Sequence, residues 1–184
     1  FDGPVSAGWW APDGRSIYFT TGAKATMHTF AVDVESGRVS QVTTGQATAM
    51  ATRDNASGLL LVNYSDPVTA PSIYLARTLA DLGNRNAWVR LTNVNPHLEA
   101  LALGSSEEIT WKSRDGQMIG GVLVKPVGYQ EGRRYPLVVQ IHGGPAGADL
   151  LRVNTGYGSQ VYAGAGYAVL LPNYRGSTNY GERH

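Results

Sequence analysis

Cysteine is absent from the 184 residues, which excludes disulfides and thiolate zinc sites and leaves the redox compartment open. Charge is sparse. Asp, Glu, Lys and Arg make up 16% of the chain, and 15 basic against 14 acidic side chains leave a formal net charge of +1. No basic stretch stands out, so nucleic acid is not an implied partner. No apolar run approaches the ~20 residues of a membrane-spanning helix, so no membrane partner is expected. The first residues, Phe1-Asp2-Gly3-Pro4, lack an initiator Met and any signal-peptide pattern, and the last, Asn179-Tyr180-Gly181-Glu182-Arg183-His184, bring no closing element. The chain is therefore expected to be an interior stretch of a longer polypeptide, with its compartment and oligomeric state left open.

What is present is globular in character, with 42% hydrophobic residues. Twenty-three glycines and nine prolines imply many turns and little uninterrupted helix. The first hundred residues read as short β-type runs: Ser16–Thr20, His28–Val34 and Val39–Thr43, with Glu35-Ser36-Gly37-Arg38 as a tight turn between the last two. The pattern then returns in Leu59–Asn63, Ser72–Ala76 and Trp88–Thr92. Ile17 to Leu60 and Phe30 to Ile73 are both offsets of 43 residues, and Thr43 to Thr92 is 49. A repeat of roughly 40–50 residues with several strands per unit is the sequence mark of propeller blades. Propellers typically have about 4–8 blades, so two units imply further chain on the N-terminal side. Pro12-Asp13-Gly14 supplies turn chemistry ahead of a run rich in aromatic and β-branched residues, in keeping with a blade hairpin.

The grammar changes near Leu101. Glu107–Ser113 and Gln117–Val124 read as strands joined by the Arg114-Asp115-Gly116 turn, the second ended by Pro126. Val127–Arg134 reads as a polar loop. Pro136–Ile141 is a nearly unbroken apolar run, expected to be a strand buried on both faces of a sheet. A short helix over Tyr157–Ala165 and a second buried strand over Tyr167–Leu171 complete a strand, loop, helix, strand order typical of an α/β sheet. The expected fold is thus propeller blades over residues 1–100, all-β, followed over residues 101–184 by the N-terminal part of an α/β-hydrolase domain.

His142-Gly143-Gly144-Pro145 follows directly on the apolar run. Acyl transfer creates a tetrahedral oxyanion, and backbone N–H groups aimed at it lower the barrier. A glycine pair allows the close approach and unusual dihedrals that this requires. In α/β-hydrolases one such N–H comes from the loop after the third strand, often an HGGG-type sequence. His142 is not a candidate general base, because in that fold the catalytic His follows the nucleophile and the acid in chain order. It is expected to support the loop.

Three stretches carry a resemblance to the prolyl oligopeptidase family of serine peptidases, in its acylaminoacyl-peptidase branch. They are Ile109-Thr110-Trp111-Lys112-Ser113-Arg114-Asp115-Gly116 through Ile119-Gly120-Gly121 to Tyr129, Tyr135 through Pro145, and Gly166 through Thr178, in which Asn173-Tyr174-Arg175-Gly176 resembles the loop after the next strand, near the active-site floor. Leu91-Thr92-Asn93-Val94-Asn95 resembles the exit from the last blade. The resemblance implies a peptidase acting on short peptides by acyl-enzyme chemistry, with a propeller over the active site that limits entry. It implies no cofactor or metal. The Gly144 amide, presented by the Gly143-Gly144 backbone, is by resemblance one oxyanion donor, and the second would be the residue after the nucleophile. His142 stands where some relatives place an oxyanion tyrosine. Arg175 is expected to be a structural brace without a catalytic role.

The nucleophile elbow G-x-S-x-G is missing. Ser16 has Gly14 before it but Tyr18 after it, Ser106 has Gly104 but Glu108, and Ser6 has Gly8 after it but Pro4 before it. The triad is therefore expected beyond His184, and the isolated stretch is expected to be inactive and poorly folded, with open strand edges. Two other readings stand beside this one. The first is an α/β-hydrolase esterase using the same glycine loop, separable by an ester-versus-peptide activity profile. The second is a non-enzymatic propeller that binds a partner protein, which would gain if the complete chain had no serine elbow.

Overall fold

The computed structural model describes residues 4–144, 146–153, 158–182 and 184. Two β-sheets organise them. The first contains two successive antiparallel meanders. Strands β1 (Ser6–Trp10), β2 (Ser16–Ala23), β3 (Thr26–Asp33) and β4 (Val39–Gln41) form one, and β5 (Thr48–Arg53), β6 (Leu60–Ser65), β7 (Ser72–Ala76) and β8 (Val89–Arg90) form the other. A short parallel pairing of Met27 with Thr48 and His28 with Ala49 joins them.

Turn chemistry fixes these registers. Gly14 closes the β1–β2 turn at φ 68°, and the Asp13 carboxylate accepts from the Arg15 amide at 3.0 Å. The turns after β3 and β5 share one device. Asp33 accepts from the amide and hydroxyl of Ser36 at 2.8 and 2.6 Å, and Asp54 does the same with Ser57 at 2.7 and 2.5 Å. These bonds to Ser36 and Ser57 hold both carboxyls below the usual aspartate range. The second meander packs a core of Ala49, Ala51, Leu60, Val62, Tyr74, Ala76, Leu82 and Trp88. Leu82 comes from α1 (Leu79–Leu82), a single turn closed by a Thr78–Asp81 capping box. The Trp88 indole N–H donates to the Asp81 carbonyl at 2.8 Å, which turns its ring into the core.

The second sheet has the order β11-β12-β10-β9. Strands β9 (Ser106–Lys112) and β10 (Met118–Val124) form a hairpin, and β12 (Ala168–Asn173) pairs antiparallel with β10. Strand β11 (Leu137–Val139) pairs parallel with β12 after a crossover through α2 (Ser159–Gly164). The helix is shorter than the span expected from sequence, and Tyr157 lies outside the described residues. The expectation that the Pro136–Ile141 run is buried on both faces is not met. Strand β11 is the edge strand, and Leu137, Val139 and Ile141 are 54%, 50% and 70% exposed, while Val138 packs inward. Strand β12 is likewise covered on alternate residues, with Val169, Leu171 and Asn173 buried.

The two sheets share a seam. Ala25, at the tip of the β2–β3 hairpin, is fully buried among Val122, Val124, Leu151, Ala163, Val169 and Leu171 of the second core. Its amide donates to Glu108 Oε2 at 3.2 Å, and its carbonyl accepts from the Leu151 amide at 2.7 Å. Beside it, Lys24 has a left-handed φ of 54° and its ammonium lies 3.5 Å from Glu108 Oε1.

Candidate active site

Strands β11 and β12 run parallel, so their C-terminal ends open at the same end of the sheet. That end is where ligands bind in open α/β sheets. The Gln140 amide continues the pairing to the Leu170 carbonyl at 2.9 Å, and two residues further on His142 stands beside the loop that follows Asn173.

These two loops are tied together. The Tyr174 hydroxyl donates to the His142 carbonyl at 2.6 Å, and the two rings stack with centroids 4.6 Å apart. His142 Nε2 lies 3.0 Å from the Ser177 hydroxyl, and Nδ1 lies 2.9 Å from the Gly143 carbonyl. Ser177 is buried, and the Thr178 amide donates to the Gly147 carbonyl at 2.9 Å. Gly143 and Gly144 are exposed. A Cβ on Gly144 would stand 2.7 Å from the Ala146 backbone nitrogen, so the chain can fold back there only without a side chain. Pro145 of the same motif lies outside the described residues.

Beneath the loop is a small cavity of about 220 Å³ lined by Gln140, Ile141, His142, Asp149 and Leu171. The Asn173 side chain, fully buried, substitutes for a strand partner. Its carbonyl oxygen accepts from the Asp149 amide at 2.7 Å, and its NH₂ donates to the Asp149 carbonyl at 2.9 Å and the Tyr180 hydroxyl at 3.1 Å. Burial pushes the Asp149 carboxyl up, against the pull of His142 and Arg152.

Arg175 points away from this cluster. Its guanidinium pairs with Asp115 and donates to the Ser113 hydroxyl at 2.8 Å, bracing the loop against the β9–β10 turn. Hydrogen bonds from Ser113 and then Arg175 hold the Asp115 carboxyl down at about 2. The residues singled out from sequence, His142, Gly143 and Gly144, thus sit together on one exposed loop. Sequence reading put Asn173 and Tyr174 on a loop near the site but gave them no role, and it passed over Ser177 and Asp149; together these four fix the glycine loop. The Asn173-Tyr174-Arg175-Gly176 run was the available signal.

No family model matches the chain. Among curated proteins it is 30% identical over 186 residues to a probable dipeptidyl-peptidase 5 of Aspergillus niger, covering 98% of this chain and 24% of the relative. It is 28% identical over 179 residues to the dipeptidyl-peptidase 5 of Arthroderma otae, covering 95% of this chain and 24% of the relative. The chain therefore spans about a quarter of the length of these relatives. Among solved structures its fold is similar to the acylaminoacyl peptidase of Pyrococcus horikoshii, with a TM-score of 0.73 at 23% identity, over 99% of this chain and 27% of that one. It is also similar to dipeptidyl peptidase 4 of Porphyromonas gingivalis, with a TM-score of 0.73 at 20% identity, over 99% of this chain and 26% of that one.

Proposed function

We propose, for a chain that belongs to the prolyl oligopeptidase family, that it forms the junction between propeller and catalytic domain in a serine peptidase of short peptides. In this reading residues 1–100 are the last propeller blades and residues 101–184 begin the α/β-hydrolase domain. The triad lies outside the chain, and residues 142–144 supply half of the oxyanion hole.

The observation that carries the reading is the exposed Gly143-Gly144 backbone at the C-terminal end of a parallel strand, on the edge of the sheet. The chemistry follows from that position. A serine hydroxyl adds to the peptide carbonyl as a base takes its proton, and the carbonyl oxygen gains the negative charge. The Gly144 N–H donates to that oxygen and stabilises the charge more than it stabilised the neutral carbonyl, which is what lowers a barrier. Collapse expels the amine with the proton, and water releases the acyl group by the same path in reverse. Relatives named for dipeptidyl and acylaminoacyl release support short peptides cut near their N-termini as the substrate class.

Fluorophosphonate labelling of the full-length protein tests this. The expected adduct is on one serine within a G-x-S-x-G sequence, C-terminal to residue 184. Absence of an adduct, or an adduct on a serine of residues 1–184, would exclude the reading.

A further inference from the structure

A Gly-Gly peptide is a poor structural element on its own. With no Cβ on either side it can rotate between two orientations at little steric cost. One presents the N–H to solvent and the other presents the C=O. An oxyanion donor facing the wrong way repels the charge it should stabilise. Something must hold the Gly143–Gly144 peptide in the useful orientation.

The geometry points to Ser177 as the positioning residue for that peptide, acting through the imidazole of His142. The proposal rests on the peptidase reading above and deepens it. A peptide unit is planar and trans, so fixing its carbonyl fixes its N–H in the opposite direction. The Gly143 carbonyl lies 2.9 Å from His142 Nδ1, and a carbonyl can only accept, so Nδ1 carries the proton. In neutral imidazole Nε2 is then the acceptor, and the Ser177 hydroxyl, 3.0 Å away, donates to it. Ser177 thereby selects the tautomer that grips the carbonyl. The peptide before it is held in parallel, by the Tyr174 hydroxyl on the His142 carbonyl at 2.6 Å. The ring itself is clamped flat by the Tyr174 stack at 4.6 Å, so the hydroxyl and the carbonyl meet a fixed imidazole.

Ser177 is well placed for this role. It is 4% exposed, on a turn where its amide donates to the Tyr174 carbonyl at 2.9 Å and Gly176 takes a φ of 84°. The turn is carried by β12, which is hydrogen-bonded to the strand that delivers His142. The register of the sheet thus sets the distance between relay and donor.

The test is steady-state kinetics of full-length Ser177→Ala and Ser177→Thr on a peptide substrate of the wild type, with melting temperatures measured alongside. For Ser177→Ala the expectation is a fall in kcat of about tenfold or more, below the ~10²–10³ of a deleted oxyanion donor, with KM within about twofold. Ser177→Thr, which keeps the hydroxyl, is expected to recover most of the loss. Two results overturn the proposal while leaving the peptidase reading intact. One is wild-type kcat in Ser177→Ala. The other is a kcat loss that Thr does not rescue and that tracks a lowered melting temperature. A wild-type protein that turns over no peptide overturns both.

Discussion

At Gly144 the absence of a side chain is a requirement of the fold, since a Cβ there would stand 2.7 Å from the Ala146 nitrogen. Gly144→Ala in the full-length protein must shift the loop, and with it the amide. The expected outcome is a loss of about a hundredfold in kcat with little change in KM, because an oxyanion donor is worth about 2.7–4 kcal/mol. Wild-type kcat in that variant would remove Gly144 from the chemistry. His28 makes a separate claim about pH. Burial lowers its pKa, while the hydrogen bond from Nε2 to the Gly45 carbonyl, at 3.0 Å, works the other way. A histidine with a depressed folded pKa binds its proton better unfolded. Its stabilising contribution is therefore complete above the unfolded value near 6.5 and is lost as pH falls below it. Lys24, Glu107 and Glu108 line the same cavity, of about 790 Å³. His28→Gln should narrow the difference in melting temperature between pH 7.5 and pH 5, and an unchanged difference would contradict the assignment.

The element that decides the arrangement of the two sheets is the β2–β3 hairpin. Its tip residue Ala25 is fully buried in the core of the second sheet, next to the Glu108 carboxylate. Ala25→Asp would place a second carboxylate there without a partner. A loss of about 3 kcal/mol or more is expected, the scale of an uncompensated buried charge, read as a lowered melting temperature and easier proteolysis. Unaltered melting would mean that the seam does not hold the sheets. This contact was not legible in the sequence, because alanine in a turn carries no signal of what it packs against. Most strands were legible, because Ser16–Thr20, Ser72–Ala76 and Glu107–Ser113 combine β-branched and aromatic residues between turn residues. Strands β1 and β5 were missed for the converse reason. Thr48-Ala49-Met50-Ala51-Thr52-Arg53 has no β-branched apolar residue, yet Ala49 and Ala51 are fully buried because small side chains let neighbouring strands come close. Strand β8 is shorter than Trp88–Thr92 because Trp88 caps the single helical turn Arg85–Ala87 at one end, and at the other the Ile73 amide bonds the Thr92 hydroxyl in place of a backbone carbonyl. The glycine loop was legible from its motif. Its supports were not, since Tyr174 and Ser177 stand more than thirty positions from His142 and meet it through sheet register.

On the scale of the molecule, two repeated four-stranded meanders plug by one hairpin into a smaller mixed sheet whose edge strand ends in a glycine loop. The chain spans about a quarter of the length of the dipeptidyl-peptidases 5 it resembles, so the proposed activity is tested on the full-length protein. The central claim is that this loop serves peptide acyl transfer. The most direct test is turnover by the full-length protein of dipeptidyl and acetyl-aminoacyl 4-nitroanilides, with a 4-nitrophenyl ester alongside. The account predicts nitroaniline release from at least one of the two amides, abolished by a fluorophosphonate. Ester hydrolysis with neither amide cleaved, or no hydrolysis at all, would contradict it.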